Sequence, residues 1–262
     1  MTGFIGGGNM AEALIKGMTS QGMRDIFVAE PREERRRELE KRYGIRTTGV
    51  NTEVVSACDI LVFAVKPQNM DAVLDGVAEF ITEDKTVVSI AAGVTLSYLE
   101  AKLRTKKLIR VMPNTPALVQ EGMSVMSLCG CFYGKEAELV RGMLMSIGKV
   151  ITLPENMMNA VTALSGSGPA FIALFVEALI ASGEQMGISG PDSTLLAVQT
   201  LLGTAKLLET GMSAENLRKM VTSPGGTTEA GLKVFGEKDL VGLVDAALEA
   251  ARERAEELGR RH

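Results

Sequence analysis

The stretch Thr2-Gly3-Phe4-Ile5-Gly6-Gly7-Gly8-Asn9-Met10-Ala11 decides the fold of this chain. A short apolar run ends at Ile5, and three glycines lie between it and an amphipathic segment. The spacing matches G-x-G-x-x-A, in which the first glycine makes a tight turn, the second lets the backbone approach a pyrophosphate, and the alanine keeps helix and strand close. We therefore expect a strand, a phosphate-binding turn and a helix whose N-terminus faces a dinucleotide. The predicted cofactor contacts here are Gly6, Gly7, Gly8, Asn9, Met10 and Ala11.

The rest of the first half repeats this alternation of short apolar runs and amphipathic stretches. The pattern is typical of βαβ units and predicts a parallel sheet. The predicted strands are Thr2–Ile5, Ile26–Ala29, Ile45–Thr47, Ile60–Ala64, Val87–Ile90, Leu108–Met112, Met123–Leu128 and Val150–Leu153. The fold class is therefore α/β, beginning with a Rossmann dinucleotide-binding domain.

Strand signals stop after about Pro154, and helical periodicity continues almost to the end. The predicted helices are Met157–Leu164, Pro169–Met186, Pro191–Glu209, Ala214–Thr222, Thr227–Val234 and Leu240–Leu258. The change predicts a boundary between a Rossmann domain of residues 1–154 and an all-helical domain of residues 155–262. The last helix carries an apolar stripe that packs on the same subunit or on a second copy.

Composition excludes several classes of protein. Lys plus Arg number 28 and Asp plus Glu 32, a formal charge of -4, so the chain has no basic footprint for nucleic acid. The apolar run Ala170–Ser182 is interrupted by Glu177 and is shorter than the roughly 20 residues of a bilayer span, which predicts a buried helix and no membrane contact. No secretory signal precedes Gly3, and the expected compartment is the cytoplasm.

The only histidine is His262, the last residue. A mechanism with an internal imidazole as base, relay or metal ligand is therefore not expected. Cys129-Gly130-Cys131 has no second Cys or His cluster to complete a tetrahedral site, so we predict no metal and reduced thiols.

The end of the second strand bears on the choice of cofactor. Glu30 stands where an acidic residue binds the ribose 2′-OH of NADH, which favours NADH. Arg32, Arg35 and Arg36 follow within one turn and could instead hold the 2′-phosphate of NADPH. The sequence therefore favours NADH or use of both cofactors, with Glu30 and Arg32 as contacts.

Two further loops follow predicted strands at the edge where open α/β sheets bind ligands. Ala64-Val65-Lys66-Pro67 closes the fourth strand, and Ala91-Ala92-Gly93 follows the fifth. The small residues of the second loop have two possible roles: they leave space for the nicotinamide and its ribose, or they only allow close packing. Tyr98 and Lys102 have the spacing of a short-chain dehydrogenase pair, but they lie one strand too early and fit a surface helix.

Two glycine-rich junctions interrupt the helical half. These are Ser165-Gly166-Ser167-Gly168-Pro169 and Ser223-Pro224-Gly225-Gly226-Thr227-Thr228-Glu229-Ala230-Gly231. Glycines beside Ser and Thr at a helix N-terminus form a concavity of N–H groups that holds a carboxylate, or else a flexible turn.

Together with Arg110-Val111-Met112-Pro113-Asn114-Thr115-Pro116, these motifs closely resemble those of pyrroline-5-carboxylate reductases over nearly the whole chain. The resemblance implies NAD(P)H-dependent reduction of 1-pyrroline-5-carboxylate to L-proline, the last step of proline biosynthesis. It also implies that the helical domain dimerises, giving a homodimer or a larger ring of dimers.

The resemblance assigns further positions. The positions that match the cofactor cleft of the family are Asn51, Ala64, Val65, Lys66, Pro67, Ala91, Ala92 and Gly93. The positions that match the substrate site are Glu155, Ser223, Gly225, Gly226, Thr227 and Thr228. Among them, Thr228 corresponds to the catalytic hydroxyl that reaches the ring nitrogen of the substrate.

Two other functions compete with this assignment. The 3-hydroxyisobutyrate and 6-phosphogluconate dehydrogenases open with a similar turn, but Ile172 stands where they carry a catalytic lysine. A nucleotide-sensing dimer without turnover is the other alternative, and the loop from Ser223 argues against it.

Overall fold

The computed structural model describes residues 1–130 and 134–260. The chain divides into two compact units, one of residues 1–167 together with the chain end from Ala250, and one of Gly168–Glu249. The division thus lies beyond Pro154, and the end of the last helix belongs to the first unit. A division of function into residues 1–154 and 155–262 stays a prediction.

One eight-stranded sheet organises the first unit. Its strands are β1 Thr2–Ile5, β2 Ile26–Ala29, β3 Arg46–Thr48, β4 Ile60–Phe63, β5 Thr86–Ser89, β6 Leu108–Met112, β7 Gly122–Leu128 and β8 Gly148–Thr152. Their order is β3-β2-β1-β4-β5-β6-β7-β8, and every neighbouring pair is parallel except β6 with β7. The order reverses between β1 and β4, so ligands are expected outside the carboxyl ends of these strands. The predicted α/β class is confirmed.

Helices cover both faces of this sheet. They are α1 Asn9–Ser20, α2 Glu33–Tyr43, α3 Asn51–Ala57, α4 Met70–Val77, α5 Leu96–Lys102, α6 Lys135–Met145 and α7 Met158–Val161. Because both faces are covered, β1, β2, β4 and β5 are buried at every position, which is why their sequences read as continuous apolar runs. Gly3 lets α3 approach β1, since a Cβ there would lie 2.6 Å from the Val54 side chain.

The predicted helix Met157–Leu164 is in fact three short segments. A 3-10 turn, Glu155–Met157, leads into α7, and a π-turn, Thr162–Gly166, follows it. The π-turn coincides with close packing at Gly166, where a Cβ would lie 2.5 Å from the Met112 methyl carbon. Widened turns of this kind frequently mark functional sites.

The second unit is helical. Its elements are α8 Gly168–Gln185, α9 Gly190–Glu209, α10 Ala214–Met220, α11 Thr227–Glu237 and the first half of α12 Leu240–Gly259. Ser189 and Ser213 cap α9 and α10 by accepting the backbone N–H groups of Asp192 and Asn216.

Apolar side chains of the second unit are largely exposed. The expectation that Ala170–Ser182 is a buried helix is wrong for the single chain, since Leu174 is 66% exposed and Ile172 52%. The helical stretch Glu155–Gln185 is long and apolar enough to cross a membrane by length and composition, and only 6% of an apolar 18-residue segment within it is buried. In the first half of α12, Val241 is 81% exposed and Val244 49%, so this part of the apolar stripe also lacks a cover.

Candidate active site

Gly6 begins the turn between β1 and α1, and the fold itself requires a glycine there. Its φ is +101°, and a Cβ would lie 2.8 Å from the carbonyl oxygen of Ala64. The Gly6 N–H donates to the carbonyl of Ala29 over 2.8 Å. The turn is therefore fixed against the ends of β2 and β4 by backbone geometry.

The next two glycines differ in what surrounds them. Gly7 is buried, and a Cβ there would lie 3.0 Å from the Leu39 side chain. A Cβ on Gly8 would meet no atom within 4 Å, and its φ of -71° is ordinary for any residue. Gly8 is the N-cap of α1 and supplies no side-chain cap, so the first N–H groups of the helix are available to an anion. The open space and the uncapped helix fit the pyrophosphate of a dinucleotide.

Glu30 lies directly beneath this turn. Its side chain is 5% exposed, and Oε2 accepts the Gly7 N–H over 3.0 Å. Oε1 accepts the Arg32 side chain at 2.8 Å and the Arg32 backbone N–H at 3.2 Å. Burial alone would raise the pKa of Glu30, but the hydrogen bonds from Arg32 and Gly7 outweigh it and hold that pKa below its ordinary value. Glu30 is thus an ionised carboxylate that holds the turn.

The three arginines after Glu30 have different surroundings. Arg35 is 13% exposed and donates to the Gly7 carbonyl over 2.8 Å and to Glu12 and Glu38. Arg36 donates to the carbonyls of Glu30 and Pro31. Of the three, only Arg32 is strongly exposed, with 68% of its side chain in solvent. Arg32 is therefore the arginine best placed to meet a 2′-phosphate.

The remaining predicted cofactor residues lie at the same edge of the sheet. Asn51 opens α3 after β3, and Pro67 starts a 3-10 turn, Pro67–Asn69, after β4. Ala91, Ala92 and Gly93 follow β5. Gly93 has φ +79°, and a Cβ there would lie 3.1 Å from the Cβ of Leu258 in α12, so this glycine is needed for packing as well.

Glu155 is bound to the scaffold. Its Oε1 accepts Arg110 Nη1 over 2.7 Å and the Leu96 backbone N–H over 3.2 Å. Its Oε2 is buried and has no hydrogen-bond partner among the described residues. The predicted contact of Glu155 with substrate stays a prediction.

The loop from Ser223 joins α10 to α11. Gly225 has φ +71°, and its N–H donates to Glu229 Oε2 over 2.7 Å. Gly226 is the N-cap of α11 and provides no side-chain cap, while Thr227 and Thr228 open the helix. This places uncapped N–H groups and the Thr228 hydroxyl at one helix N-terminus. That the loop holds a carboxylate stays a prediction.

The sequence reasoning missed two residues as members of the site. Arg110, 3% exposed, holds Glu155. Asn114 donates to the Ser165 carbonyl over 3.2 Å and accepts the Met123 N–H over 2.8 Å, which ties the Ser165–Pro169 junction to β7. An arginine inside the apolar strand Leu108–Met112 was the available signal, because a buried charge needs a partner.

Other side chains considered for chemistry lie apart from these loops. Tyr98 and Lys102 of α5 bind the carboxylates of Asp71 and Asp75, which fits the surface-helix interpretation. Burial raises the pKa of the Cys58 thiol to about 11, so it is a poor nucleophile. Cys131 lies outside the described residues, which contain no cluster of three or more His, Cys, Asp or Glu suited to a metal.

Comparison with known proteins assigns both halves of the chain. Residues 155–258 match the family described as pyrroline-5-carboxylate reductase dimerisation, and residues 1–93 match NADP oxidoreductase, coenzyme F420-dependent. A pyrroline-5-carboxylate reductase from Synechocystis is 38% identical over 263 residues, which cover 99% of this chain and 98% of the relative. This chain belongs to the pyrroline-5-carboxylate reductase family. The glycine-rich turn and the Ser223 loop are therefore parts of one family architecture.

Solved structures agree with this membership. A pyrroline-5-carboxylate reductase from Coxiella burnetii superposes with a TM-score of 0.92 at 36% identity, covering 98% of this chain and 97% of that one. Pyrroline carboxylate reductase from Plasmodium falciparum, solved with NADP bound, gives a TM-score of 0.88 at 30% identity, with coverage of 98% and 97%. The Rossmann domain followed by a helical dimerisation domain is thus confirmed.

Proposed function

We propose that this protein reduces 1-pyrroline-5-carboxylate to L-proline with NADPH or NADH, the last step of proline biosynthesis. The observation that carries the proposal is the Ser223–Thr228 loop, which brings glycines, hydroxyls and an uncapped helix N-terminus together. Family membership over nearly the whole chain supports it. A nucleotide-binding turn alone would fit many reductases, whereas this loop fits an acidic substrate.

The cofactor would lie along the carboxyl ends of the strands. Gly6–Ala11 would hold the pyrophosphate at the N-terminus of α1. Glu30 and Arg32 would meet the adenosine ribose, and Asn51, Ala64–Pro67 and Ala91–Gly93 would line the remaining length. When bound, the nicotinamide supplies the hydride that reduces the imine carbon.

The substrate carboxylate would bind the loop at α11. The loop residues Ser223, Gly225, Gly226, Thr227 and Thr228 would surround it. The donors would be the hydroxyls of Ser223, Thr227 and Thr228 and the first N–H groups of α11, since the Gly225 and Gly226 N–H groups donate within the loop. The partial positive charge of the helix N-terminus favours the anion. Gly225 needs its left-handed φ of +71° to form this loop, and an L-residue there would be strained.

Thr228 would act on the ring nitrogen of the imine. A 1-pyrroline is readily protonated, so its carbon accepts hydride without a strong side-chain acid. The Thr228 hydroxyl would orient that nitrogen and pass it a proton, while the loops supply proximity. This chemistry needs no imidazole, in agreement with a chain whose one histidine is His262.

The active unit would be a homodimer, able to assemble into a ring of dimers, in the cytoplasm. The exposed apolar side chains of α8 fall within the matched dimerisation region. Glu177 in the middle of this helix fits a protein interface better than a lipid one, because a carboxylate in hydrocarbon is costly. A second copy, and no membrane, would cover α8.

The test is an assay of the purified protein with 1-pyrroline-5-carboxylate and either cofactor. We expect one L-proline formed, identified by chiral chromatography, for each NAD(P)H consumed. The matched substrate control is 1-pyrroline, which lacks the carboxylate and should show a KM raised by at least about tenfold. Binding of NAD(P)H without any product would instead support the nucleotide-sensing alternative.

A further inference from the structure

A row of polar side chains crosses the otherwise apolar sheet face that α5 covers. Ser89 of β5, Arg110 of β6 and Ser127 of β7 are register partners, so their side chains share one face. Each is at most 3% exposed. Val87 and Leu108, two residues earlier in β5 and β6, belong to the apolar core on that face. A guanidinium in these surroundings requires a partner that carries the opposite charge.

Glu155 is that partner, and it makes a second bond with the same oxygen. Oε1 accepts Arg110 Nη1 over 2.7 Å and the N–H of Leu96, the first residue of α5, over 3.2 Å. The Arg110 side chain is 4% exposed and the Glu155 side chain 33%, so the guanidinium end of the pair is shielded from water. One carboxylate oxygen thus joins β6 to the N-terminus of α5.

The segment held in this way is the end of the Ala91–Gly93 loop. The Ala91 N–H approaches Ser89 Oγ at 3.4 Å, and Gly93 packs against Leu258. Leu96 lies three residues after Gly93 and is the loop's point of attachment to α5. Without the bond to Glu155, the far end of the loop would keep the Thr95 cap on α5, whose Oγ1 accepts the Tyr98 N–H over 3.1 Å, but would lose its link through Glu155 to β6.

We infer that Glu155, held by Arg110, is a positioning residue that fixes the Ala91–Gly93 loop for the nicotinamide end of the cofactor. Its Oε1 already accepts Arg110 and Leu96, so this oxygen serves the scaffold, while Oε2 is buried and has no hydrogen-bond partner among the described residues. The inference rests on the proposed use of NAD(P)H. Equilibrium cofactor binding tests it without requiring turnover.

The first experiment compares Glu155→Gln with the wild type by fluorescence titration of NADPH and NADH. Glutamine keeps an acceptor for Leu96 but loses the charge that holds Arg110. We expect the Kd of the cofactor to rise about tenfold, while the KM for 1-pyrroline-5-carboxylate changes less than about twofold. Glu136→Gln is the matched control, since it removes the Lys107–Glu136 pair of 2.8 Å beside the start of β6. It should leave both constants unchanged.

A second pair of variants tests the link to α5. Leu96→Pro deletes the N–H at the first helical position, where proline fits, and keeps the Arg110–Glu155 pair. Because Leu96 is buried in the apolar core, Leu96→Ala, which shortens the side chain but keeps the N–H, is the control for lost packing. We expect a rise of about threefold in the Kd of the cofactor, with circular dichroism and thermal unfolding reporting on the fold. If Glu155→Gln fails to fold, Leu96→Pro still tests whether cofactor binding depends on the bond between Glu155 and Leu96.

The outcomes separate the two proposals. A wild type that neither binds NAD(P)H nor forms L-proline would overturn the proposed function. A functional wild type whose Glu155→Gln variant keeps the cofactor Kd but raises the KM for the imino acid would place Glu155 at the substrate and overturn the inference. Unchanged cofactor binding in folded Leu96→Pro would also overturn it, because the loop would then not depend on this bond.

Discussion

The two glycine-rich loops of this chain look alike in sequence but differ in their surroundings. The turn at Gly6–Gly8 lies within a dense scaffold of Ala64, Leu39 and Glu30, and each of the first two glycines is required by a close neighbour. In the loop at Ser223–Thr228, a Cβ on Gly225 meets no atom within 4 Å, and the loop is exposed apart from Thr228 and Gly226. The residues that surround the Gly6–Gly8 turn therefore all belong to its own unit.

The difference indicates how the site is divided. A cofactor turn that is finished within one unit can bind its ligand in a single chain. The Ser223–Thr228 loop is exposed, in a unit whose helices leave large apolar side chains in solvent, so we expect it to gain its walls from association with a second copy. The following predictions test whether the second loop depends on a partner copy and what each loop contributes.

The largest expected effect is recovery of activity in a mixture of two inactive proteins. Gly8→Asp should abolish cofactor binding by charge repulsion, and Gly226→Val should block the carboxylate cradle. If each site combines loops from two subunits, refolding the two variants together should restore about a quarter of wild-type activity through mixed dimers. Activity of each variant alone and of the mixture is measured by NAD(P)H consumption.

Dimers in the mixture are confirmed by light scattering before the assay. Each variant refolded alone at the same concentration provides the control. No recovery in a sample that contains mixed dimers would show that both loops of one site belong to the same chain.

The next effect concerns catalysis by Thr228. Thr228→Ala removes a hydroxyl that orients the imine nitrogen or relays a proton, and it should lower kcat by about 10 to 10²-fold. Cofactor Kd should hardly change. Thr194→Ala is the control, because Thr194 is an exposed threonine near the start of α9, outside this loop, where its hydroxyl donates to the Gly190 carbonyl over 2.9 Å. Equal kcat values for the two variants and the wild type would contradict a catalytic role for Thr228.

Gly226→Val should act differently from Thr228→Ala. Gly226 has φ -83° and ψ 169°, which any residue adopts, so the backbone does not exclude valine there. The obstacle is steric, since a Cβ would lie 2.6 Å from Ser223 Oγ. A raised KM for the imino acid with normal cofactor Kd is the expected result, and steady-state kinetics measure it.

The first loop allows a sharper separation of folding from binding. Gly6→Ala should destabilise the protein by about 1–3 kcal/mol, because an L-residue at φ +101° is strained and its Cβ meets the Ala64 carbonyl. Gly8→Ala should change the unfolding free energy by less than about 0.5 kcal/mol but raise the cofactor Kd at least about tenfold. Urea denaturation and fluorescence titration measure the two quantities. Loss of stability in Gly8→Ala would contradict the open space found there.

The sheet and the cofactor turn were accessible from sequence because both depend on local pattern. Buried parallel strands are continuous apolar runs, and the turn at Gly6 has a spacing imposed by backbone geometry. The pair of Arg110 and Glu155 was not accessible, because two residues 45 positions apart are joined only by the tertiary fold. The prediction that α8 is buried was wrong for the same reason. An apolar helix has the same sequence pattern whether it packs against its own chain or against another chain.

The smallest expected effect, on the choice of cofactor, follows from Glu30. Its carboxylate is ionised and lies beneath the turn, where we expect it to favour a ribose hydroxyl and to repel the 2′-phosphate of NADPH. Glu30→Gln keeps an acceptor for the Gly7 N–H, removes the charge and releases the exposed Arg32 to meet the phosphate. The ratio of kcat/KM values should shift toward NADPH by more than about tenfold, or roughly 1.4 kcal/mol.

Two further variants make this prediction specific. Glu33→Gln removes a neighbouring carboxylate whose partner Arg37 is 76% exposed, so the ratio should stay at the wild-type value. Glu30→Ala also removes the acceptor for Gly7 and should weaken binding of both cofactors in addition to the shift. If the ratio were unchanged in Glu30→Gln, the carboxylate would serve only to hold the Gly7 N–H. Cofactor choice would then depend on Arg32, and Arg32→Ala alone should reduce the use of NADPH.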